Sequence, residues 1–158
     1  MAAIIEPANS ETRVKEEEMG KVVVEVELVN AFDLEAIRLG QLKPEDVRRT
    51  KISALVDTGA PLLCIPEEEI KKLGLPVFRT ATSRFANGQT AERKIYGPVK
   101  IQVMGRIDAV LAMACHPGMP ALLGQIPLEG LDLIVDPKRQ RLLPGHPDYP
   151  NEQLVEVY

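Results

Sequence analysis

Between Lys21 and Pro144 the chain is a succession of short apolar or β-branched runs separated by turns rich in glycine, proline or aspartate. Thirteen prolines and eleven glycines in 158 residues disfavour long helices and favour many short elements. "KVVVEVELV" (21–29) alternates with the period of a strand, and "TKISALVDTGA" (50–60), "GPVKIQVMG" (97–105) and "DAVLAMA" (108–114) predict further strands. "LDLIVDPKRQRLLP" (131–144) reads as strand, turn and strand, with Leu131, Leu133 and Val135 on one face and the turn at Asp136-Pro137. The helical signals are short. "AFDLEAIRLGQLKPEDVRR" (31–49) predicts a helical insertion between two strands: Phe32, Leu34, Ile37 and Leu39 space one or two turns, Gly40 closes them, and "KPEDV" starts a second. "PEEEIKKLGL" (66–75) has proline early, glutamates in the first turn, lysines in the last and Gly74 at the end. "IPLEGL" (126–131) adds one more turn. The expectation is a single mostly-β domain of about eight or nine strands and two or three short helices.

"RTATSRFA" and "QTAERKIY" flank Asn87-Gly88, the pair that most strongly signals a two-residue hairpin turn. The polarity of these arms predicts faces that meet water or a ligand rather than the core. Apolar residues make up 45% of the chain but aromatics only 4%, so the core must be aliphatic. A net charge of −4 leaves no basic footprint for nucleic acid, and no apolar run reaches membrane-spanning length. The N-terminal residues lack a basic segment leading into an apolar one, and two cysteines make no disulfide framework. Both readings predict a reduced, cytoplasmic setting. Residues 1–18, ending in "KEEE", predict a flexible tail, 19–146 the domain, and 147–158 a C-terminal tail or arm.

The residues that carry chemistry centre on "ALVDTGA". An apolar strand delivers Asp57 to the end of a sheet, Thr58 offers a hydroxyl, Gly59 permits a turn that a Cβ would block, and Ala60 keeps the approach open. The tetrapeptide alone does not separate catalysis from an ordinary aspartate turn, because Asp-[Ser/Thr]-Gly-small arises by chance in roughly one or two such chains per hundred. Other candidates are weaker. Cys115-His116 and Cys64 do not form a spaced ligand set, so no metal is expected. Cys64, Met104 and Met113 read as core, and His146 as a solvated tail residue.

The polar hairpin after Asp57, the second apolar-apolar-glycine at Leu122-Leu123-Gly124 and the helical turn after it stand in a telling order. Together with "ALVDTGAPLLCIPEEEIKKLGLP", "RFANGQTAERKIYGPVKIQVMGR" and "LLGQIPLEGLDLIVDPKRQRLLP", they resemble the retropepsin-like (clan AA) aspartic proteases, more narrowly a small prokaryotic single-domain group. The resemblance spans residues 21–146. It departs at Gln125-Ile126, where the viral enzymes carry a charged or amide pair, and at the insertion 31–49. It implies a closed acid-protease barrel protomer with short helices and an aspartic endopeptidase that uses no cofactor. Peptide hydrolysis of this kind needs two carboxylates on one water, and this chain has one Asp-Thr-Gly. The resemblance therefore implies a homodimer in which Asp57 faces its copy and binds a peptide or protein substrate. It also implies that Thr58 bonds across the two-fold axis, that Gly59, Ala60, Leu123 and Gly124 support the site, and that Phe85, Ala86, Asn87, Gly88 and Gln89 form a flap over substrate. The alternatives are a catalytically weak or inactive dimer that binds peptides, and a monomeric barrel that serves as an interaction module.

Overall fold

The computed structural model describes residues 21–157, so the expected tail at 1–18 and a domain start at Met19 lie outside the described residues. The elements are β1 (Val23–Asn30), α1 (Ala31–Arg38), a 3-10 turn (Pro44–Asp46), β2 (Arg49–Val56), β3 (Leu63–Ile65), α2 (Glu67–Leu73) and β4 (Val77–Arg84). β5 (Thr90–Val103), β6 (Arg106–Ala114), β7 (Ala121–Leu123), α3 (Gln125–Gly130), β8 (Leu133–Asp136) and β9 (Arg141–Pro144) follow.

β1 closes the barrel. It pairs antiparallel with β2 from Val23 opposite Leu55 to Val29 opposite Arg49. Its second half also pairs with β5, from Glu27 opposite Gln102 to Asn30 opposite Val99. The order β1-β2-β7-β3-β6-β5 therefore returns to β1, as the expected closed barrel requires. Alternation along each strand sends Val26, Leu28, Leu63, Ile65, Val99, Ile101 and Leu123 into a fully buried aliphatic core. Two pairings are parallel: β2 with β7, and β3 with β6. β7 lies between β2 and β3, meeting β3 antiparallel at Cys64 opposite Leu122. β4 pairs with β5 alone, so the β4–β5 ribbon stands off the barrel with β4 largely exposed.

The helical insertion forms where expected, and its buried residue is polar. Asn30 caps α1 by accepting from the Phe32 and Asp33 N–H groups at 2.8 and 3.1 Å, and its amide donates to the Leu73 carbonyl at 2.8 Å. Asp33 is the buried residue of the helix, holding the Arg48 guanidinium by two bonds and the Arg48 N–H by a third. The Arg48 side-chain bond outweighs burial and lowers the Asp33 pKa. These polar anchors turn α1 so that Phe32 and Leu39 stay 54% and 53% exposed.

Four other expectations change. β5 is one strand through residues 90–103, with an irregularity between Tyr96 and Val99 at the cis Gly97–Pro98 bond, rather than a hairpin arm and a separate strand. Met104 is not core: Met104 and Gly105 take φ of 53° and 78° in the tight β5–β6 turn, which leaves Met104 63% exposed. Cys64 is only half-buried, because alternation assigns the inside of β3 to Leu63 and Ile65, and Met113 opposite it is likewise half-buried. The Asn87-Gly88 turn is longer than two residues. The last strand pair is Arg84–Thr90, Gly88 donates to the Phe85 carbonyl, and Gly88 takes φ 84° as the left-handed residue of a bulged turn.

The C-terminal residues also differ from expectation at His146, which is a junction rather than a solvated residue. Its Nδ1 lies 2.8 Å from Asp132 Oδ1 and its Nε2 2.9 Å from Glu156 Oε1. Asp132 is buried, accepts the Leu154 N–H at 3.0 Å, and lies 3.5 Å from Arg106 Nη1. Arg106 reaches on to the Pro150 carbonyl, and the Gln153 amide bonds both backbone groups of Ile107, so the arm caps part of the β6 edge.

The bonds to Glu156 and then Asp132 raise the His146 pKa. Burial opposes ionisation of Asp132, but the Leu154 N–H, His146 and Arg106 outweigh it and lower its pKa. The His146 contribution is therefore complete below its ordinary value of 6.5 and is lost as pH rises through the raised folded value. That of Asp132 is complete above 3.8 and is lost as pH falls through the lowered one. After correction for intrinsic exchange, hydrogen-exchange protection of the Leu154 amide should peak between those ordinary values and decline toward alkaline pH. The alkaline decline should flatten in His146→Gln. A wild-type profile with no alkaline decline would show that the arm does not depend on the His146 charge.

Candidate active site

Asp57 is the first residue after β2, and tertiary pairing sets its place. Its N–H donates to the Leu123 carbonyl at 3.0 Å, which continues the parallel β2–β7 ladder by one bond. The chain then turns sharply: the Ala60 N–H donates to the Asp57 carbonyl at 3.1 Å, and the Gly59 N–H to Asp57 Oδ1 at 2.9 Å. One carboxylate oxygen is thus pinned by backbone, while Oδ2 has no hydrogen-bond partner among the described residues. Asp57 is half-buried, and Thr58 and Gly59 are exposed.

The loop rests on the chain segment that leaves β7. The Gln125 N–H donates to the Ala60 carbonyl at 2.7 Å and the Ile126 N–H to the Pro61 carbonyl at 3.0 Å. Those two amides open α3 and have no partner inside the helix, so the loop and the helix satisfy each other. Gly124 lies at the closest approach. A Cβ there would sit 2.5 Å from the Ala60 carbonyl oxygen, nearer still to that of Leu62, and 2.9 Å from the Leu62 nitrogen. All three are backbone atoms, which a rotamer change cannot move. Leu123, fully buried, supplies both the carbonyl under Asp57 and part of the core.

Asp57, Gly59, Ala60, Leu123 and Gly124 are therefore brought together in one bonded unit. Thr58 belongs to the loop but bonds nothing among the described residues. Phe85, Ala86, Asn87, Gly88 and Gln89 form a separate group at the exposed tip of the β4–β5 ribbon. They are bonded to one another through Phe85–Gln89 and Asn87–Gln89, and no hydrogen bond joins them to the Asp57 loop among the described residues. The support given by the Gln125 and Ile126 amides was not legible as a site feature, because backbone donors leave no mark on residue type. No cluster of three or more His, Cys, Asp or Glu suited to a metal occurs among the described residues, and no helix there is long and apolar enough to cross a membrane. Cys64 and Cys115 are free thiols, half-buried, and burial raises both pKa values.

Gly124→Ala should force the Ala60–Leu62 backbone away from β7. A loss of about 2 kcal/mol in urea-unfolding stability is expected, typical of an overpacked contact. Unchanged stability would mean that the loop is not braced at this point.

Residues 46–125, half of the chain, match the family model described as "Aspartyl protease". No curated protein matches the chain. Among solved structures, the chain is similar to the protease of simian foamy virus (mac), at 20% identity and a TM-score of 0.45, over 69% of this chain and 93% of that one. The matched span runs from ahead of β2 to the first residue of α3 and includes both Asp57 and the Gly124 that braces it, and the chain belongs to the aspartyl protease family.

Proposed function

We propose that the protein is an aspartic endopeptidase acting as a symmetric homodimer, with Asp57 of each subunit forming one catalytic pair. The observation that carries this reading is the Asp57 loop itself. Its carboxylate is positioned by backbone, one oxygen is unengaged among the described residues, and the family match covers it. The chain contains one Asp-Thr-Gly. Asp33 and Asp132 are committed to Arg48 and to the Arg106–His146 junction. A second copy is the economical source of the second carboxylate.

Two carboxylates ~3 Å apart cannot both ionise, so the pair shares one proton and titrates as a unit. The ionised member takes a proton from the attacking water, and the protonated member polarises the scissile carbonyl. The backbone N–H of Gly59 holds Asp57 in a fixed orientation for this exchange. Thr58, exposed and without a partner among the described residues, is suited to bond across the axis. Ile126 on α3 and Ile134 on β8 are 53% and 48% exposed and offer apolar surface to a second subunit. The tip residues Phe85 to Gln89 would close over an extended substrate, whose backbone pairs with the ribbon as an added strand.

Sedimentation at micromolar concentration should show a dimer, and a peptide library should be cleaved with a bell-shaped pH profile. Asp57→Asn should remain folded and dimeric and lose cleavage by a factor on the order of 10³ or more. Cleavage by a species that sediments only as a monomer, or cleavage retained by Asp57→Asn, would overturn the shared site.

A further inference from the structure

We propose that Arg93 is a specificity-determining residue of the substrate groove, selecting peptides that carry an acidic side chain a few residues from the scissile bond. The assignment rests on the proteolytic reading above and adds a substrate class to it.

Alternation along β5 places Arg93 on the inner face of the ribbon. Glu92 and Lys94 are exposed, Ala91 and Arg93 are half-buried, and Ile95 is in the core. The Arg93 guanidinium reaches across and donates to the Ala114 carbonyl at 2.6 Å, where β6 ends. From there, neighbouring strands lead to the catalytic loop. Ala114 pairs with Ile65 on β3, the adjoining Cys64 pairs with Leu122 on β7, and the Leu123 carbonyl holds the Asp57 N–H. At about 4.8 Å per strand, the Arg93 anchor lies roughly 15 Å from the loop, or about four residues of extended peptide. The Cys64 thiol lies between the two charges. Burial and then Cys115 raise its pKa, Arg93 lowers it and Asp57 raises it, so both ionic groups are within electrostatic reach of that one side chain.

Among the described residues nothing neutralises the charge of Arg93. A guanidinium has five N–H donors, and Arg93 makes one bond, to a neutral carbonyl, with no ion pair among the described residues. Glu67 and Glu68 line a cavity of about 470 Å³ with Cys115, His116 and Met119 that Arg93 does not line, and Glu67 pairs with Lys71 instead. A peptide laid under the ribbon would exclude water from this cation, which strengthens its attraction for a carboxylate and penalises a buried lysine or arginine. In a symmetric dimer the same cation recurs on both sides of the Asp57 pair, so an acidic residue on either side of the bond would be read.

The test uses fluorescein-labelled peptides that differ only in Asp against Asn, or Glu against Gln, at each position out to about four residues from the bond. Cleavage is read with the wild-type protein, Arg93→Gln and Arg93→Lys. Binding is read by anisotropy with the same three in the Asp57→Asn background. Gln keeps a donor for the Ala114 carbonyl and loses the charge, whereas Lys keeps the charge. The wild type should prefer the acid by about fivefold at one such position, a preference that added salt weakens. Arg93→Gln should abolish the preference and Arg93→Lys should retain it. An equal acid-to-amide ratio in the wild type and Arg93→Gln would overturn the proposal and leave Arg93 as a clamp on Ala114. No acid preference in the wild type would overturn it even if Arg93→Gln failed to fold. Cleavage without acid preference sinks this assignment alone, and acid-selective binding without cleavage sinks the proteolytic reading alone.

Discussion

The structure turns on the near-contact between Gly124 and the loop that carries Asp57. Two chain segments cross there at backbone distance, and the Ala60 and Leu62 carbonyl oxygens occupy the space where a side chain would begin. That proximity lets β7 lie parallel to β2 and also brings the first amides of α3 onto the Ala60 and Pro61 carbonyls. Remove it and Asp57 loses the ladder bond to Leu123, the loop loses its floor, and α3 loses the groups that satisfy its first turn. The core beneath is aliphatic and closely packed, so little freedom remains to absorb a shift.

Three aspartates show how environment divides one residue type into different tasks. Asp33 is buried and saturated by Arg48, which ties the helical insertion to the barrel. Asp132 is buried and shared among Arg106, His146 and the Leu154 amide, which ties the C-terminal arm to β6 and β8. Their negative charge is spent on structure, and their lowered pKa values keep it in place. Asp57 alone is oriented by a neutral backbone donor and keeps an oxygen available. The proton exchange proposed for Asp57 needs a carboxylate that is not locked to a guanidinium, because such a pair would hold it ionised.

The ribbon and the arm are attached to the barrel in opposite ways. In the β4–β5 ribbon, β4 pairs with β5 alone and the tip is polar and exposed, so that end has few neighbours. The arm has no helix or strand among its described residues, yet the Gln153 side chain bonds backbone on β6 and α3, and the Leu154 N–H bonds the buried Asp132 carboxylate. Arg93 links these themes: it belongs to the ribbon, but its guanidinium is fastened to the barrel at Ala114. It marks where the exposed ribbon is tied to the barrel, which is the basis of the substrate-reading role proposed for it.

Local pattern was enough for much of the architecture. Alternation in "KVVVEVELV" and "LDLIVDP", the capping glycine of "PEEEIKKLGL" and the density of turn residues each act over a few neighbouring residues, so the chain itself determines short strands, short helices and an aspartate at a strand end. Gly124 was legible as an apolar-apolar-glycine element, though the reason for the glycine lies in backbone atoms some sixty positions away in sequence. The sequence did not show where several residues would lie. Phe32 is outside because Asp33 and Asn30 find partners at Arg48 and Leu73, and His146 is a junction because Asp132 and Glu156 converge on it. Met104 is at the surface because two strands must be joined in two residues. The first two outcomes depend on pairings between residues distant in sequence and the third on where β5 and β6 pair, and both outweigh local hydrophobic preference. The tertiary structure alone decided them, as it decided that Arg93 would reach the end of β6 and bond a neutral carbonyl there.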